Sequence, residues 1–274
     1  MAFSGPLVPG PEMPEFLEVP DDQSLDALSG HFKIFQYKKG HRYSTDDLLV
    51  AWYGTAHAPS APRVLDLGSG IGSVGMVAAW RLPGSQFVTI EAQSISVELA
   101  KKSIRYNGIE NRYEIRQGDF RDQKNFMDQE EFNLILGSPP YFPLENGIVG
   151  NHEQKIACRF EVRGDIADYC QTASEHLASG GVFACIFPVQ PPHQEQRVLA
   201  AAKSSRLTIL RRRDVILKEG EPPLLGLFLM IRETDIPEAF RAQAWVEPPL
   251  TIRRQDGTVH PEYSVIKISI GFSP

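Results

Sequence analysis

The sequence predicts an α/β fold on a mostly parallel sheet, and three observations support this. From residue 62 onward, short apolar runs alternate with helix-like segments. The runs at 64–67 and 132–136 end in loops that permit unusual backbone, one rich in glycine and one reading Ser-Pro-Pro-Tyr. The 42% hydrophobic and 23% charged content is ordinary for a globular chain. Because ligands bind beyond the carboxyl ends of such strands, both loops should face one crevice.

Composition limits the compartment and the partners. The net charge of −6 argues against a general polyanion binder, although a local basic patch is compatible with it. The cysteines Cys158, Cys170 and Cys185 lack the C-x-x-C spacing of a zinc site, and we expect neither a disulfide framework nor a metal. No apolar run approaches the ~18 residues of a membrane helix, and the N-terminus has no secretory pattern. We therefore expect a cytoplasmic protein.

The first 57 residues divide into an arm and a lid-like segment. Residues 1–30 carry five prolines and predict a flexible arm. Residues 31–43 alternate apolar with polar residues, which predicts a strand or hairpin with Lys38 and Lys39 on its polar side. Ser44-Thr45-Asp46-Asp47 then supplies the cap of a helix running to about residue 56.

The remaining elements follow from periodicity and loop length. Strands are expected at 63–67, 86–91, 113–117, 132–136, 182–187, 207–217 and 224–231. Helices are expected at 73–81, 94–107, 165–178 and 194–204. The last two strands are separated by six residues, too few for a crossover helix, so they should be antiparallel. The tail, 248–270, predicts a small hairpin around Gln255-Asp256-Gly257.

The glycine loop predicts a cofactor site. Asp66 precedes Gly68, Gly70 and Gly72, but Ser73 occupies the position where a dinucleotide fingerprint has its third glycine. The carboxylate of Asp66 would also repel a pyrophosphate, whereas it suits an ammonium or sulfonium group. Two acids end the next strands: Glu91 is placed to bind a ribose, and Asp119 is placed to accept from an adenine amine. The alternative is a tight turn with solvated or capping acids.

The Ser-Pro-Pro-Tyr loop predicts a site for an amine. Pro139 and Pro140 lack N–H donors, so the carbonyls of Ser138 and Pro139 can be directed outward. Together with the Ser138 hydroxyl they could accept the two protons of an amine and turn its lone pair toward an electrophile. Tyr141 offers a flat face for a base taken out of its helix. The alternative is a proline-rich turn in which Tyr141 packs in the core.

These stretches resemble the class I S-adenosylmethionine-dependent methyltransferases that modify amines through an (Asn/Asp/Ser)-Pro-Pro-(Tyr/Phe/Trp) loop. Residues 36–46, 160–166 and 257–263 are similar to a narrower family, the bacterial enzymes that methylate N6 of adenosine 37 in a valine tRNA. The resemblance implies a Rossmann-like sheet of seven strands with the last antiparallel and helices on both faces. It implies S-adenosylmethionine as cofactor, S-adenosylhomocysteine as product, and tRNA as partner.

The resemblance also assigns roles to residues. The catalytic loop would be Ser138, Pro139, Pro140 and Tyr141. Cofactor contacts would come from Arg42, Thr45, Asp66, Gly68, Ser69, Gly70, Gly72, Glu91, Ala92, Asp119, Phe120 and Ser138. Substrate contacts would come from Lys38, Lys39, Tyr141, Arg159 and Arg163. The oligomeric state is undetermined, with a monomer as the default.

Other substrates and classes stay open at this point. Ser138 stands where the tRNA-modifying relatives usually carry Asn, and Ser-Pro-Pro-Tyr loops also occur in enzymes acting on cytosine N4 of DNA. A protein glutamine, a non-catalytic scaffold that binds the cofactor or RNA, and a nicotinamide oxidoreductase are the further alternatives. The basic run Arg211-Arg212-Arg213 is either part of a phosphate-binding rim or a solvated face.

Overall fold

The computed structural model describes residues 18–141, 164–242 and 244–273. Its strands are β1 (Gln23–Ser29), β2 (Phe32–Tyr37), β3 (Arg63–Leu67), β4 (Gln86–Glu91), β5 (Tyr113–Gln117), β6 (Phe132–Gly137), β7 (Leu177–Pro188), β8 (Leu207–Lys218), β9 (Leu225–Arg232) and β10 (Trp245–Arg253). Its α-helices are α1 (Thr45–His57), α2 (Ser73–Arg81), α3 (Ser94–Tyr106), α4 (Ile166–His176), α5 (Pro192–Ser204) and α6 (Pro261–Ser269). Elements 63–67, 73–81 and 113–117 match the sequence-based bounds residue for residue.

The central sheet confirms the α/β prediction. Its strand order is β10-β8-β9-β7-β6-β3-β4-β5, and β9 runs antiparallel to both β7 and β8. One hydrophobic cluster lies on the face of α1, α2 and α3, and a second lies on the face of α4 and α5. Helices therefore cover both faces, as a largely parallel sheet requires.

The sheet has one strand more than the seven expected. Strand β10 joins the edge by pairing parallel to β8, and the register shifts between Glu247 and Leu250. Pro248 and Pro249 interrupt the run at that shift, since neither can donate a ladder hydrogen bond. Because of this interruption the pattern predicts only the part after the prolines, as half of the tail hairpin, and not an eighth strand of the sheet.

The prediction of a tail hairpin is wrong in its second half, which forms a helix. Its first half is β10, a turn follows at Gly257 (φ +85°), and one isolated bridge joins Arg253 to Val259. The chain then enters α6, where His260 caps the helix and Pro261 occupies the first turn. Proline at that position is pre-set for a helix and cannot donate to a strand, which explains the difference.

Part of the predicted flexible arm is ordered. Residues 23–29 form β1, which pairs antiparallel with β2 across Gly30 (φ +55°); residues 1–17 lie outside the described residues. The hairpin docks on α3, where the Phe35 N–H donates to Ser103 Oγ at 2.9 Å. It also meets the end of α6, because Ser29 Oγ donates to the Ile270 carbonyl at 2.6 Å and the Gly30 N–H donates to the Gly271 carbonyl at 3.1 Å.

Within the described residues, no helix combines the length and the apolarity needed to cross a bilayer. The same ranges contain no group of three or more His, Cys, Asp or Glu side chains arranged to hold a metal ion.

Candidate active site

The two loops singled out by the sequence line one cavity of about 670 Å³. They meet because β3 and β6 are neighbours in the sheet, with Leu67 opposite Gly137. The loop after β3 begins at Gly68, and the loop after β6 begins at Ser138. The prediction that both face one crevice is confirmed.

The glycine loop depends on backbone conformations that suit glycine. Gly68, Gly70 and Gly72 have φ values of +59°, +55° and +85°. A Cβ built on Gly68 would lie 2.1 Å from the hydroxyl oxygen of Tyr169, whereas one built on Gly70 would meet nothing within 4 Å. Gly68 is therefore required by close packing as well as by conformation, and Gly70 leaves its backbone open for close approach by a ligand.

Glu91 holds this loop from the neighbouring strand. Its Oε2 accepts from the Gly70 N–H at 2.9 Å, and its Oε1 accepts from the Gln93 N–H at 2.6 Å. Each carboxylate oxygen has a second lone pair, so the group can still accept from a ligand hydroxyl. Glu91 thus links the shape of the loop to whatever binds above it.

Asp66 supports the helix that follows the loop. It is 1% exposed, and its Oδ2 accepts from the Gly75 N–H in the first turn of α2 at 2.8 Å. Burial raises the pKa of Asp66 well above its ordinary value, and the carboxylates of Asp47 and Glu91 add to the rise. The acid lines the cavity floor, where positive charge on a ligand would favour its ionised form.

Asp119 and Phe120 line the cavity beyond β5. The Asp119 carboxylate accepts from Arg121 Nη2 at 2.6 Å and Nε at 2.9 Å, so an ion pair holds it in place. Phe120 is 5% exposed and meets Tyr169 edge to face, with 4.6 Å between ring centroids. A flat apolar wall therefore stands beside a carboxylate, as an adenine site requires.

The Ser-Pro-Pro-Tyr loop is held from three sides at Tyr141. Its hydroxyl donates to Asp46 Oδ2 at 2.8 Å, and its carbonyl accepts from Gln194 Nε2 at 3.1 Å. Its ring meets Phe187 edge to face, with 5.9 Å between ring centroids. Tyr141 packs against both hydrophobic clusters and also lines the cavity. It can therefore contact a ligand as well as contribute to the core.

Most predicted site residues line this cavity. The predicted residues found there are Arg42, Asp66, Gly68, Ser69, Gly70, Glu91, Ala92, Asp119, Phe120, Ser138, Pro139, Pro140 and Tyr141. The Arg42 guanidinium is turned toward β1, where it donates to Asp26 Oδ2 and Ser24 Oγ at 3.0 Å each.

Other predicted residues are not among those that line the cavity. Gly72 caps α2, and the Thr45 side chain lies near Tyr263 of α6. Lys38 and Lys39 are exposed, and Lys38 Nζ donates to the Asp21 carbonyl at 2.8 Å. Arg159 and Arg163 lie outside the described residues.

Asp46, Asp47 and Tyr169 also lie in the cavity wall, although none of them was among the predicted site residues. Asp47 was expected only as part of a helix cap, and Asp46 as part of that cap and of the 36–46 stretch that resembles the tRNA-modifying family. Asp47 does close a capping box with Ser44, but its Oδ2 also accepts from Ser73 Oγ at 2.9 Å, across two helices. The sequence signal that could have indicated these site residues is the acidic pair itself, which follows Ser44 and Thr45.

The basic run on β8 is paired within the fold. Arg211 contacts Glu247, Arg212 contacts Glu195 and Asp214, and Arg213 contacts Glu262. The arginines also lie over the rings of Trp245, Phe228 and Trp52 respectively. These pairings favour a structural role over a phosphate-binding rim.

The cavity residues fit a cationic adenosine-type cofactor. Ser69 Oγ is buried and finds no hydrogen-bond partner within the described residues, so a ligand could satisfy it. The open side of Gly70 admits a ligand against the backbone. Carboxylates from α1, β3, β4 and the β5 loop make the wall acidic, which suits a sulfonium and an ammonium group and disfavours a pyrophosphate.

The fold and this cavity together define a Rossmann-like S-adenosylmethionine-dependent N-methyltransferase. The sequence model of the methyltransferase small domain family matches residues 47–201, and the chain belongs to that family. It is also similar to the tRNA1(Val) (adenine(37)-N6)-methyltransferases.

Individual relatives agree with this placement. A tRNA1(Val) (adenine(37)-N6)-methyltransferase of Porphyromonas gingivalis is 30% identical over 187 residues, which cover 66% of this chain and 72% of the relative. A release factor glutamine methyltransferase of Aliivibrio fischeri is 32% identical over 130 residues, covering 45% of this chain and 44% of that protein. Among solved structures, a predicted O-methyltransferase of Agrobacterium tumefaciens superposes with a TM-score of 0.61 at 20% identity, over 84% of this chain and 98% of that one. That last likeness concerns the fold alone.

Proposed function

We propose that the protein transfers a methyl group from S-adenosylmethionine to the exocyclic N6 amine of adenine in RNA, and that its substrate is a tRNA with adenosine at position 37. The main observation in support is the shared cavity, in which the loop from Ser138 to Tyr141 faces the glycine loop after β3. The relatives named for adenine 37 of a valine tRNA support the choice of base and RNA.

The cofactor would be held by the glycine loop and the two strand-end acids. Gly68 to Gly70 would lie against its methionine part, Glu91 would accept from its ribose hydroxyls, and Asp119 would accept from its adenine amine. Phe120 would pack on the adenine ring. When bound, S-adenosylmethionine supplies an electrophilic methyl group on a sulfonium sulfur and leaves as S-adenosylhomocysteine.

The second loop would bind the amine. The Ser138 hydroxyl and the Pro139 carbonyl would each accept one proton of the target amine, which withdraws its lone pair from conjugation with the ring. Tyr141 would stack on the flipped base. The product amine is a cation until it loses a proton, so no strongly basic side chain is required, and the rate would come from positioning.

The partner and the compartment follow from the same proposal. A tRNA substrate would be met in the cytoplasm, and a monomer stays the default oligomeric state. Lys38 and Lys39 are exposed next to the cavity rim at Gly40, which supports a role in holding phosphates. Arg159 and Arg163 belong to the same proposed set of substrate contacts.

A competition between substrates tests the proposal. The protein is incubated with labelled S-adenosylmethionine and, separately, unmethylated total tRNA, duplex DNA and cell protein, and each product is digested to its units. We expect label in N6-methyladenosine from tRNA. Label in DNA cytosine or in glutamine would overturn the substrate but keep the enzyme class, and cofactor binding without label anywhere would favour a scaffold.

A protein glutamine is the second candidate, favoured by the similarity to the glutamine methyltransferase of Aliivibrio fischeri. A glutamine amide also presents an NH₂ group to the same two acceptors. The matched region covers 44% of that relative, compared with 72% of the Porphyromonas tRNA enzyme, so the longer match favours RNA.

A further inference from the structure

Asp46 faces the catalytic loop from a different part of the chain. It lies in the first turn of α1 and lines the cavity together with Ser138 and Tyr141. Its Oδ2 accepts from the Tyr141 hydroxyl at 2.8 Å, across 95 residues of sequence. The neighbouring Asp47 is already occupied by Ser73 and the Ser44 N–H, whereas Asp46 is turned to the tyrosine.

The contact restrains a residue that the proposed reaction needs. Gln194 binds the Tyr141 carbonyl, and Phe187 meets its ring edge to face. Among the carboxylates of the described residues, only that of Asp46 binds the tyrosine hydroxyl. The Ser138 side chain lies near the tyrosine hydroxyl, where it works against the rise in the pKa of Tyr141, and both residues line the cavity.

We propose that Asp46 is a positioning residue for methyl transfer: its carboxylate holds the Tyr141 hydroxyl, and so fixes the tyrosine ring beside Ser138, where the target amine binds. This inference rests on the proposed function, since it assumes that Tyr141 stacks on the substrate base.

The bond is strongest when Asp46 is ionised, which makes the arrangement sensitive to pH. The pKa of Asp46 is raised to about 6, mainly by burial and in part by the Asp47 carboxylate, while the Tyr141 bond works against the rise. His41 of the loop before α1 and Tyr263 of α6 also interact with Asp46. Protonation below this pKa leaves a neutral carboxyl that accepts more weakly, so transfer should fall on the acid side.

A double-mutant cycle tests the role. We expect Asp46→Ala, which removes the acceptor, and Tyr141→Phe each to lower kcat/KM for the RNA by about 10- to 100-fold, and the double variant to be less than about threefold worse than either one. The acid limb of the pH profile near 6 should disappear in both single variants. The dissociation constant for S-adenosylmethionine should stay within about threefold of wild type.

Tyr53→Phe is the matched control. Tyr53 lies on the same helix and donates to a carboxylate, Glu247 Oε1, at 2.9 Å, but it does not line the cavity. Its variant should keep wild-type kcat/KM and the acid limb. Additive losses in the cycle, or a loss of cofactor affinity in Asp46→Ala, would overturn the proposal, because Asp46 would then act alone or bind the cofactor.

A titration without substrate separates this inference from the proposed function. The carboxyl carbon of Asp46, followed by NMR in protein labelled at aspartate, should titrate near pH 6 in wild type and at higher pH in Tyr141→Phe, since the tyrosine bond favours the ionised form. An unchanged midpoint would overturn the inference whichever substrate is methylated. If DNA or protein proves to be the substrate, the proposed function fails and the same cycle applies to that amine.

Discussion

Gly68 and Tyr169 approach each other so closely that the smallest side chain at position 68 would overlap the tyrosine hydroxyl, at 2.1 Å from the added Cβ. The tyrosine lies in α4, which is far from the glycine loop in the sequence. The cofactor loop and the helix behind it are therefore fitted to one another.

We expect Gly68→Ala to lower the free energy of unfolding by about 2–4 kcal/mol, because left-handed strain adds to the steric overlap. It should also abolish measurable cofactor binding. Urea denaturation and calorimetric titration with S-adenosylmethionine check both. Combining it with Tyr169→Phe removes the hydroxyl and should restore about half of the lost stability; no recovery would mean that the overlap is not the cause.

Gly70→Ala is the matched control for that strain. Gly70 has a similar φ, +55°, but an added Cβ meets no atom within 4 Å. It should cost only the conformational strain, about 1–2 kcal/mol. A loss of stability equal to that of Gly68→Ala would contradict the role of the tyrosine contact.

Glu91→Gln should weaken cofactor binding by about tenfold or more. Both oxygens of Glu91 accept backbone N–H groups, and a glutamine amide can accept with only one of its two ends. Either Gly70 or Gln93 is then left facing an NH₂ group, and the loop loses its support. Titration calorimetry measures the effect, with the exposed Glu98→Gln as control; equal affinities for the two variants would refute the assignment.

Asp46→Asn should stabilise the protein above pH 6. The pKa of Asp46 is raised from 3.8 to about 6, so the folded state holds a proton that the unfolded chain releases. Stability is therefore lost as pH rises from about 4 to about 6, and the loss persists at higher pH. Replacing the acid should recover about 3 kcal/mol at pH 7 and about 1 kcal/mol at pH 4.5.

Urea midpoints of wild type and Asp46→Asn between pH 4.5 and 8 check this stability prediction. Two parallel curves would show that Asp46 does not carry the shift. A gain in stability beside a loss in transfer would show that the acid is kept for function rather than for folding.

Ser138→Ala should lower kcat by about 10- to 100-fold without changing cofactor affinity, because one acceptor for the amine is lost. Ser138→Asn should retain activity, since an amide oxygen can accept the same proton. Single-turnover methylation of the RNA measures both, with Ser204→Ala on the exposed end of α5 as control. Full activity in Ser138→Ala would show that the Pro139 carbonyl suffices.

The parts of the fold that local chemistry determines were predictable from sequence. Strand β3 and helix α2 match their predicted bounds, because an apolar run, a glycine turn and an apolar helix follow one another without interruption. The cofactor loop and the catalytic loop are read in the same way, from residues next to one another in the chain.

Pairings between distant segments were not predictable. The bond from Tyr141 to Asp46 spans 95 residues, and the contact of Gly68 with Tyr169 depends on how α4 crosses the sheet. Strand β1 looked like an arm because its partner, rather than its own composition, orders it. Strand β10 was predicted only in part, because Pro248 and Pro249 interrupt its pattern, and the segment after Pro261 was wrongly expected to be a strand.

The hydrogen bonds between the β1–β2 hairpin and the end of α6 have a consequence for the order in which the chain folds. Ser29 and Gly30 bind Ile270 and Gly271, and the hairpin leads directly into Gly40 and Arg42 at the cavity rim. A chain emerging from the ribosome presents its N-terminal part first, so the hairpin cannot be secured until α6 and the residues just after it have been made. The sheet can form before that, and the mouth of the active site is completed only after α6 has joined it.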